Sequence, residues 1–299
     1  MNTLVIGKTK LNIKDYYCSR DNGVVIPNAS PKLWLYINLT NVCPGKCSFC
    51  VNPYIERVER FNLVRFRKTL KDILPHISGI SITGGEPTMD IPLLDEVVES
   101  INEIVTDDIE LDLVTNGLYM DKLIAMNNVG KFTTIHISRH MVDDEANRKV
   151  FGLNVPTEAE LMEYMKMLDD PYAIVFNCVL RKDGVKNIES VKEFLEMAAR
   201  IGVSNTSFIG MFPANDYCKE QYVNPGNIDF KNDDKFRILS CLHDFDYCNC
   251  ITGIYLSDNG YTRFYCRWPG QKCHSYCRQL VYDSDNRLLD GFFGNVISL

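Results

Sequence analysis

Three cysteines near residue 45 have a spacing that suits metal chemistry. They are Cys43, Cys47 and Cys50, in the segment Cys-Pro-Gly-Lys-Cys-Ser-Phe-Cys, which gives the pattern C-x3-C-x2-C. Thiolates are the ligands of iron–sulfur clusters, and a [4Fe–4S] cluster normally takes four cysteines. Three cysteines leave one iron open to another molecule. The spacing therefore predicts a cluster that acts on a bound ligand rather than one that only carries electrons.

A second segment, one strand and one helix later, has a composition that suits ligand binding. Residues 80–87 read Ile-Ser-Ile-Thr-Gly-Gly-Glu-Pro. An apolar run with β-branched residues is typical of a buried strand. The run ends at Gly84 and Gly85, where the backbone can approach a ligand closely. Glu86 follows and can accept hydrogen bonds from an ammonium group.

The two segments together resemble the radical S-adenosylmethionine (SAM) family. That family combines C-x3-C-x2-C, with an aromatic residue before the last cysteine, and a Gly-Gly-Glu-Pro strand end. The resemblance implies that the amino and carboxylate groups of SAM chelate the open iron. It also implies that Gly84, Gly85, Glu86 and Pro87 bind SAM, with the Gly-Gly-Glu part holding the amino group, and that Phe49 lies near the adenine.

Two simpler interpretations compete with a cluster and SAM. Zinc also takes sites made entirely of cysteine thiolates, and two consecutive glycines can form a plain turn. A zinc site explains neither the Gly-Gly-Glu-Pro segment nor the strand before Cys43. The coincidence of both motifs favours the iron–sulfur interpretation.

Composition limits the class of protein. The chain has 299 residues, 45% of them hydrophobic, enough for one large and one small domain. A net charge of −7 and the lack of a long basic run argue against general nucleic-acid binding. Neither a signal peptide nor a run of 18 apolar residues is present, so we expect a cytoplasmic protein that does not span a membrane. Without a secretion signal, the 12 cysteines favour metal ligation over disulfides.

Strand and helix patterns alternate between residues 33 and 210. Strands are predicted at 33–39, 79–83, 109–115, 132–138, 172–180 and 203–210, and helices at 62–74, 91–104, 120–126, 158–168 and 188–201. This alternation predicts an α/β fold with a parallel sheet. The resemblance narrows the fold to a partly open (β/α)6 radical SAM barrel. Ligands of parallel α/β folds bind at the carboxyl ends of the strands, where both motifs lie.

Other strand ends supply further candidate site residues. By resemblance, Thr115 and Ser138 hydrogen-bond the carboxylate or ribose of SAM, and Asn177 on the fifth predicted strand also contacts SAM. His136 and His140 flank Ser138 and are expected to share its face. They are the candidate catalytic residues, since a histidine near the barrel mouth can bind substrate or move a proton. Ordinary structural roles are the alternative for each of these side chains.

The C-terminal cysteines predict a second metal site. Asn259-Gly260 between two apolar-rich segments is a strong hairpin signal. Cysteines on both sides of this hairpin resemble the "twitch" domain of some radical SAM enzymes, a shortened SPASM domain that binds an auxiliary cluster. The matching ligands, for one auxiliary [4Fe–4S] cluster, are Cys250, Cys266, Cys273 and Cys277, with Cys248 or Cys241 as substitutes. A structural zinc site is the alternative.

The predicted organisation has four parts. Residues 1–31 form an N-terminal extension, 32–215 the radical SAM core, 216–280 a small cysteine-rich auxiliary domain with a β-hairpin, and 281–299 a C-terminal tail. The two ends of the chain match nothing in the resemblance.

The predicted function is that of a radical SAM enzyme. Reductive cleavage of SAM gives a 5′-deoxyadenosyl radical, which abstracts a hydrogen atom from a substrate. We expect a peptide substrate, undergoing crosslinking, epimerisation or oxidation, and a flavodoxin- or ferredoxin-type electron donor. Oxidation or rearrangement of a small polar metabolite, such as a sugar, cyclitol or nucleotide, is the alternative. An iron–sulfur electron carrier or a zinc scaffold is the alternative from outside the enzymes.

Overall fold

A computed structural model describes most of the chain. The described residues are 2–14, 16–18, 25–27, 32–51, 61–106, 109–168, 173–243, 248–258, 260–269, 276–292 and 294–299. The strands are β1 (Asn2–Ile6), β2 (Thr9–Ile13), β3 (Tyr16–Cys18), β4 (Val25–Pro27), β5 (Leu33–Thr40), β6 (Ile77–Gly84), β7 (Glu110–Thr115), β8 (Thr134–Ser138), β9 (Ile174–Leu180), β10 (Asn205–Gly210), β11 (Phe236–His243), β12 (Cys248–Ser257), β13 (Gly260–Pro269), β14 (Gln279–Tyr282) and β15 (Leu288–Leu289). The helices are α1 (Leu63–Ile73), α2 (Ile91–Ile104), α3 (Met120–Ile124), α4 (Asp144–Phe151), α5 (Glu158–Met167), α6 (Ile188–Ile201) and α7 (Asp216–Glu220).

The predicted parallel sheet is confirmed. Strands β5 to β10 pair in chain order, and every pair is parallel. Each of the six predicted strands corresponds to one of them. The fold is therefore α/β with a parallel sheet, and its barrel is not closed among the described strands, because the sheet ends at β11 and at β15.

The C-terminal hairpin continues this sheet. Strand β13 pairs with β10 in parallel and with β12 antiparallel, and β12 pairs with β11. At the other edge, β14 pairs in parallel with β5. Eleven described strands thus form one sheet in the order β11-β12-β13-β10-β9-β8-β7-β6-β5-β14-β15. The cysteine-bearing hairpin is attached to the core through continuous backbone hydrogen bonds.

The two faces of the sheet differ in character. Apolar side chains on one face pack on the helices, as where Phe194 of α6 contacts Phe176 and Phe208 at ring-centroid distances of 6.2 and 5.7 Å. The opposite face carries polar side chains, including Asp112 and Asn177. This alternation follows from the two-residue period of a strand. No helix among the described residues is both long enough and apolar enough to cross a membrane.

Candidate functional site

The three cysteines of the C-x3-C-x2-C segment lie in the loop that leaves β5. The thiols of Cys43 and Cys47 are half-buried, while Cys50 is exposed. The Cys50 N–H donates to the Cys47 carbonyl at 3.0 Å. The Lys46 N–H donates to the carbonyl of Phe151, the last residue of α4, at 2.8 Å. These bonds tie the loop to itself and to the element that follows β8.

The end of β6 docks directly on this cysteine loop. The Gly85 N–H donates to the Thr40 carbonyl at 2.6 Å, and the Glu86 N–H donates to the Val42 carbonyl at 2.9 Å. Gly84 has a φ of +136°, a conformation that side chains disfavour. A Cβ on Gly85 would lie 2.1 Å from the Val42 carbonyl oxygen. Glycine is therefore required at both positions, because the backbone at the end of β6 contacts the backbone of residues 40–42. This contact brings the Gly-Gly-Glu-Pro segment and the cysteine segment together.

Glu86 is buried, with only 1% of its surface exposed, and its carboxylate is surrounded by donors. Oε1 accepts from the Thr88 and Thr115 hydroxyls, each at 2.7 Å, and Oε2 accepts from the Asn116 N–H at 2.7 Å. Burial raises the pKa of Glu86, and these hydrogen bonds partly oppose the effect. The Thr115 hydroxyl, predicted as a SAM contact, thus orients the glutamate of the second motif.

The thiols of this loop lie close together, which raises the pKa values of Cys43 and Cys47. Burial and the nearby Cys50 and Cys43 together raise the pKa of Cys47 to about 12. Burial also raises the pKa of Cys43, while the hydrogen bond from the Gly45 N–H at 3.3 Å and the nearby Asn116 side chain oppose this. Metal ions displace protons from such thiols, since the thiolate is the ligand. Within the described part of the chain, no three His, Cys, Asp or Glu side chains are already close enough to hold a metal ion.

The donor set of the loop nonetheless fits a three-cysteine cluster. Three thiols from one eight-residue loop match the ligand type that iron–sulfur clusters take. The amide nitrogen of Asn116, a residue only 7% exposed, makes no standard hydrogen bond beside Cys43. Buried polar groups are normally satisfied, so an unpaired one is consistent with a missing ligand.

A polar cluster, Asp112–Thr134–His136–Asn177, lies on the face of the sheet away from the helices. The His136 Nε2 is 3.5 Å from Asp112 Oδ2 and 3.0 Å from the Thr134 hydroxyl. The Nδ1 atom faces the Asn177 side-chain oxygen at 3.3 Å. Ser138 is paired in register with Asn177 on the neighbouring strand. His136, Ser138 and Asn177 therefore lie on the same face of the sheet. Asp112, which lies between two leucines of β7, was not predicted as a site residue.

His140 does not share this environment. Its ring stacks on Phe151 at 5.1 Å and meets the Phe49 ring edge-on at 4.9 Å, and its Nδ1 accepts from the Val179 N–H. Burial, together with the nearby Arg181, lowers the pKa of His140 to about 3. Strand β8 ends at Ser138, but the Arg139 side chain still reaches Met197 of α6 on the helical face. The expectation that His140 shares a face with Ser138 and His136 therefore stays a prediction. The His140 ring thus packs against Phe49, the aromatic residue of the cysteine loop.

Three of the predicted auxiliary ligands, Cys250, Cys266 and Cys277, lie among the described residues, and all three are buried. Cys250 pairs with Arg267, whereas Cys266 pairs with Ile251. Directly paired residues of adjacent strands point to the same face, so a one-residue offset puts Cys250 and Cys266 on opposite faces. Cys266 lies on the core side, with Phe264. Cys277 precedes β14 at the other end of the strand order. Cys273 and the side chain of Cys248 lie outside the described residues.

Comparisons with known proteins identify the family to which this chain is similar. The family model described as "Radical SAM superfamily" matches residues 37–222. A probable GTP 3′,8-cyclase of Saccharolobus islandicus is 26% identical over 68% of this chain and 62% of its own length. A PqqA peptide cyclase of Methylorubrum extorquens is 24% identical over 59% of this chain and 46% of its own length. The chain thus spans about half to three fifths of these relatives.

Solved structures share the fold. SuiB of Streptococcus suis, in crystals with its precursor peptide SuiA, has a TM-score of 0.58 at 15% identity, over 88% of this chain and 60% of that one. SuiB bound to S-adenosylmethionine has a TM-score of 0.59 at 14% identity, over 93% of this chain and 65% of that one. The match of the family model covers more than half of the 299 residues and includes both sequence motifs. The chain belongs to the radical SAM superfamily.

Proposed function

We propose that this chain is an enzyme that binds a [4Fe–4S] cluster on Cys43, Cys47 and Cys50 and binds SAM at the open iron. One observation carries the proposal: the backbone of Gly85 and Glu86 is hydrogen-bonded to the cysteine loop at Thr40 and Val42. A ligand on the cluster would therefore lie beside the buried Glu86 carboxylate. When bound, the cluster and SAM supply one-electron chemistry that ends in hydrogen-atom abstraction from a substrate.

The chain's own residues would bind and orient SAM. We assign the amino group to the segment Gly84–Pro87, whose Glu86 carboxylate is oriented by the hydroxyls of Thr88 and Thr115. Ser138, the last residue of β8, and Asn177, its paired neighbour in the middle of β9, are assigned to the remaining polar groups of SAM. Phe49 offers an aromatic face from within the cysteine loop.

His136 is the proposed catalytic residue for substrate. Its ring lies on the polar face of the sheet, with its two nitrogen atoms oriented by Asp112 and Asn177. His140, the other predicted catalytic residue, has a buried ring against Phe49 and Phe151. We therefore propose that His140 positions Phe49.

A peptide is the proposed substrate, to be crosslinked, epimerised or oxidised. Two similarities support it: the relative named PqqA peptide cyclase and the fold shared with SuiB, crystallised with a precursor peptide. A nucleotide is the second candidate, because the probable GTP 3′,8-cyclase is 26% identical over 210 residues. Electrons would come from a flavodoxin- or ferredoxin-type donor.

We also propose one auxiliary [4Fe–4S] cluster, with fewer candidate ligands than the sequence alone allows. Since Cys250 and Cys266 point to opposite faces, the ligand set includes one of them and not both. Cys250 faces the same side of the sheet as Arg267, away from the core that encloses Cys266. Cys250 is therefore the better candidate of these two.

Anaerobic reconstitution tests the core proposal. The full chain is loaded with iron and sulfide, incubated with SAM and dithionite, and 5′-deoxyadenosine is quantified. Cys47→Ala should lose about four irons per chain and all SAM cleavage. Cys178→Ala, which removes a thiol buried in the core, is the matched control and should keep both. SAM cleavage retained in Cys47→Ala would refute the assignment.

A further inference from the structure

Arg181 is a buried cation beside the cysteine loop. It follows the last residue of β9 and is only 3% exposed. Its guanidinium carbon lies 5.4 Å from the centroid of the Phe49 ring. Neither sequence motif includes Arg181, and it contacts none of the predicted SAM-binding residues other than Phe49 among the described contacts. Arginine keeps its charge at every relevant pH, so a permanent positive charge lies next to Phe49 of the cysteine loop.

Neutral groups hold most of this guanidinium. Nη1 donates to the Tyr217 hydroxyl at 3.0 Å, and Nη2 donates to the Met141 sulfur at 3.3 Å. The nearest carboxylate is that of Asp183, whose Oδ1 is 3.5 Å from Nε. The Asp183 side chain is 47% exposed, so water screens it more than it screens Arg181. The positive charge is therefore only partly neutralised on the side of the loop.

Further contacts fix the loop against the same region. The Asn215 side-chain amide donates to the Ser48 carbonyl at 3.0 Å. The Cys218 thiol donates to the Phe49 carbonyl at 3.8 Å. Residues 48 and 49 are thus held from the side of β9 and α7. Arg181 is also close enough to the Cys47 thiol to lower its pKa against the effect of burial.

A charge in this position has a predictable effect on redox chemistry. Reduction adds one negative charge to a cluster whose thiolates are already negative. The potential of such a cluster depends on nearby charges, hydrogen bonds and solvent exposure. We propose that Arg181 raises the reduction potential of the cluster on Cys43, Cys47 and Cys50, and that Asp183 opposes it. This inference rests on the proposed function, because it requires that cluster.

The test is an EPR-monitored redox titration of the full reconstituted chain, with dithionite as reductant. The signal followed is the one that Cys47→Ala lacks. Arg181→Gln should lower the ratio of reduced to oxidised cluster at a fixed potential about tenfold, which is 59 mV for one electron. Asp183→Asn should shift the potential in the opposite direction, by less. Arg181→Lys keeps the charge and should stay near the wild-type value. Arg200→Gln, which breaks an ion pair with Glu158 on the helical surface, is the control and should not shift it.

Each outcome decides the proposal. An unchanged potential in Arg181→Gln, or equal shifts in Arg181→Gln and Arg181→Lys, would overturn it. Were Arg181→Gln to lose its iron, Asp183→Asn would decide, and no positive shift there would overturn the proposal. A wild-type chain with no signal that depends on Cys47 would instead refute the proposed function, so the two failures are distinguishable.

Discussion

Replacement of Gly85 by alanine tests whether the two motifs are joined as the structure has them. The new Cβ would lie 2.1 Å from the Val42 carbonyl oxygen and 2.4 Å from its carbon. Both atoms belong to the backbone, so no side-chain rotation relieves the overlap. The end of β6 must move away from the cysteine loop. That movement breaks the hydrogen bonds from Gly85 to Thr40 and from Glu86 to Val42.

The size of the effect follows from those two bonds. A typical hydrogen bond contributes about 1 kcal/mol net, and a buried partner left unpaired costs about 1–3 kcal/mol. We therefore expect Gly85→Ala to lower the free energy of unfolding by about 3 kcal/mol. Unfolding entropy of about 2.1 cal/mol/K per residue, over 299 residues, converts this to a Tm lower by about 5 °C. Iron content after reconstitution should fall as well.

Gly130→Ala is the matched control. A Cβ at Gly130 meets nothing within 4 Å, so the same substitution should change the Tm little. Thermal unfolding followed by circular dichroism, and iron quantification, compare the two variants with the wild type. Equal melting temperatures and equal iron content in Gly85→Ala and Gly130→Ala would refute the reasoning that the glycine pair exists for contact between two backbones.

Three further predictions concern titration and metal ligation. Burial raises the pKa of Glu86 above its value of about 4.3 in the unfolded chain, so near that pH the folded state binds more protons than the unfolded state. The stability of the wild type should therefore fall as the pH rises from about 4.3 through the folded-state pKa. Urea unfolding of Glu86→Gln should lack this fall, and an identical pH dependence would contradict it. His140 has a pKa of about 3 when folded, so the wild type should lose stability as the pH drops below about 6.5, whereas His140→Phe should not. An imidazole of His140 that is seen by NMR to protonate near pH 6.5 would exclude this environment. Alanine substitutions of Cys250 and of Cys266, made singly, should not both lower the iron content, since the two thiols point to opposite faces.

The parallel sheet was predictable because its signals are local. Strands β5, β6 and β9 are largely apolar, β7 and β8 alternate apolar and polar residues, and helices α2 and α6 begin at recognisable caps. Asp90 accepts from the Leu93 N–H and Asn187 from the Ser190 N–H, and the predicted bounds of α2 and α6 match those observed. A close contact at Gly84 was also predictable, since a strand that ends in two glycines indicates close approach of the backbone. The predicted partner was a ligand, and the structure shows the cysteine loop itself in contact.

What escaped prediction depends on contacts between distant segments. The hairpin signal at residues 259–260 correctly indicates two adjacent strands, yet the face that each cysteine occupies depends on a register offset of one residue. Arg181 carries no local signal either, because a charged residue after a strand usually faces water. Its burial arises from Tyr217 and Phe49, which are 36 and 132 residues away in the chain.

Charge around the cysteine loop connects these observations. Glu86 and Arg181 are both buried, on segments that follow different strands, and each influences a different cysteine. The Glu86 carboxylate raises the pKa of Cys43, whereas the Arg181 guanidinium lowers that of Cys47. A negative group thus lies where the amino group of SAM is proposed to bind, and a positive group lies behind the loop, next to Phe49. Removal of the carboxylate should therefore weaken SAM binding more than it alters the cluster potential, while removal of the guanidinium should do the reverse. Separate effects on SAM affinity and on cluster potential would show that the two charges act at different places. A general effect of burial would instead change the SAM affinity and the cluster potential together.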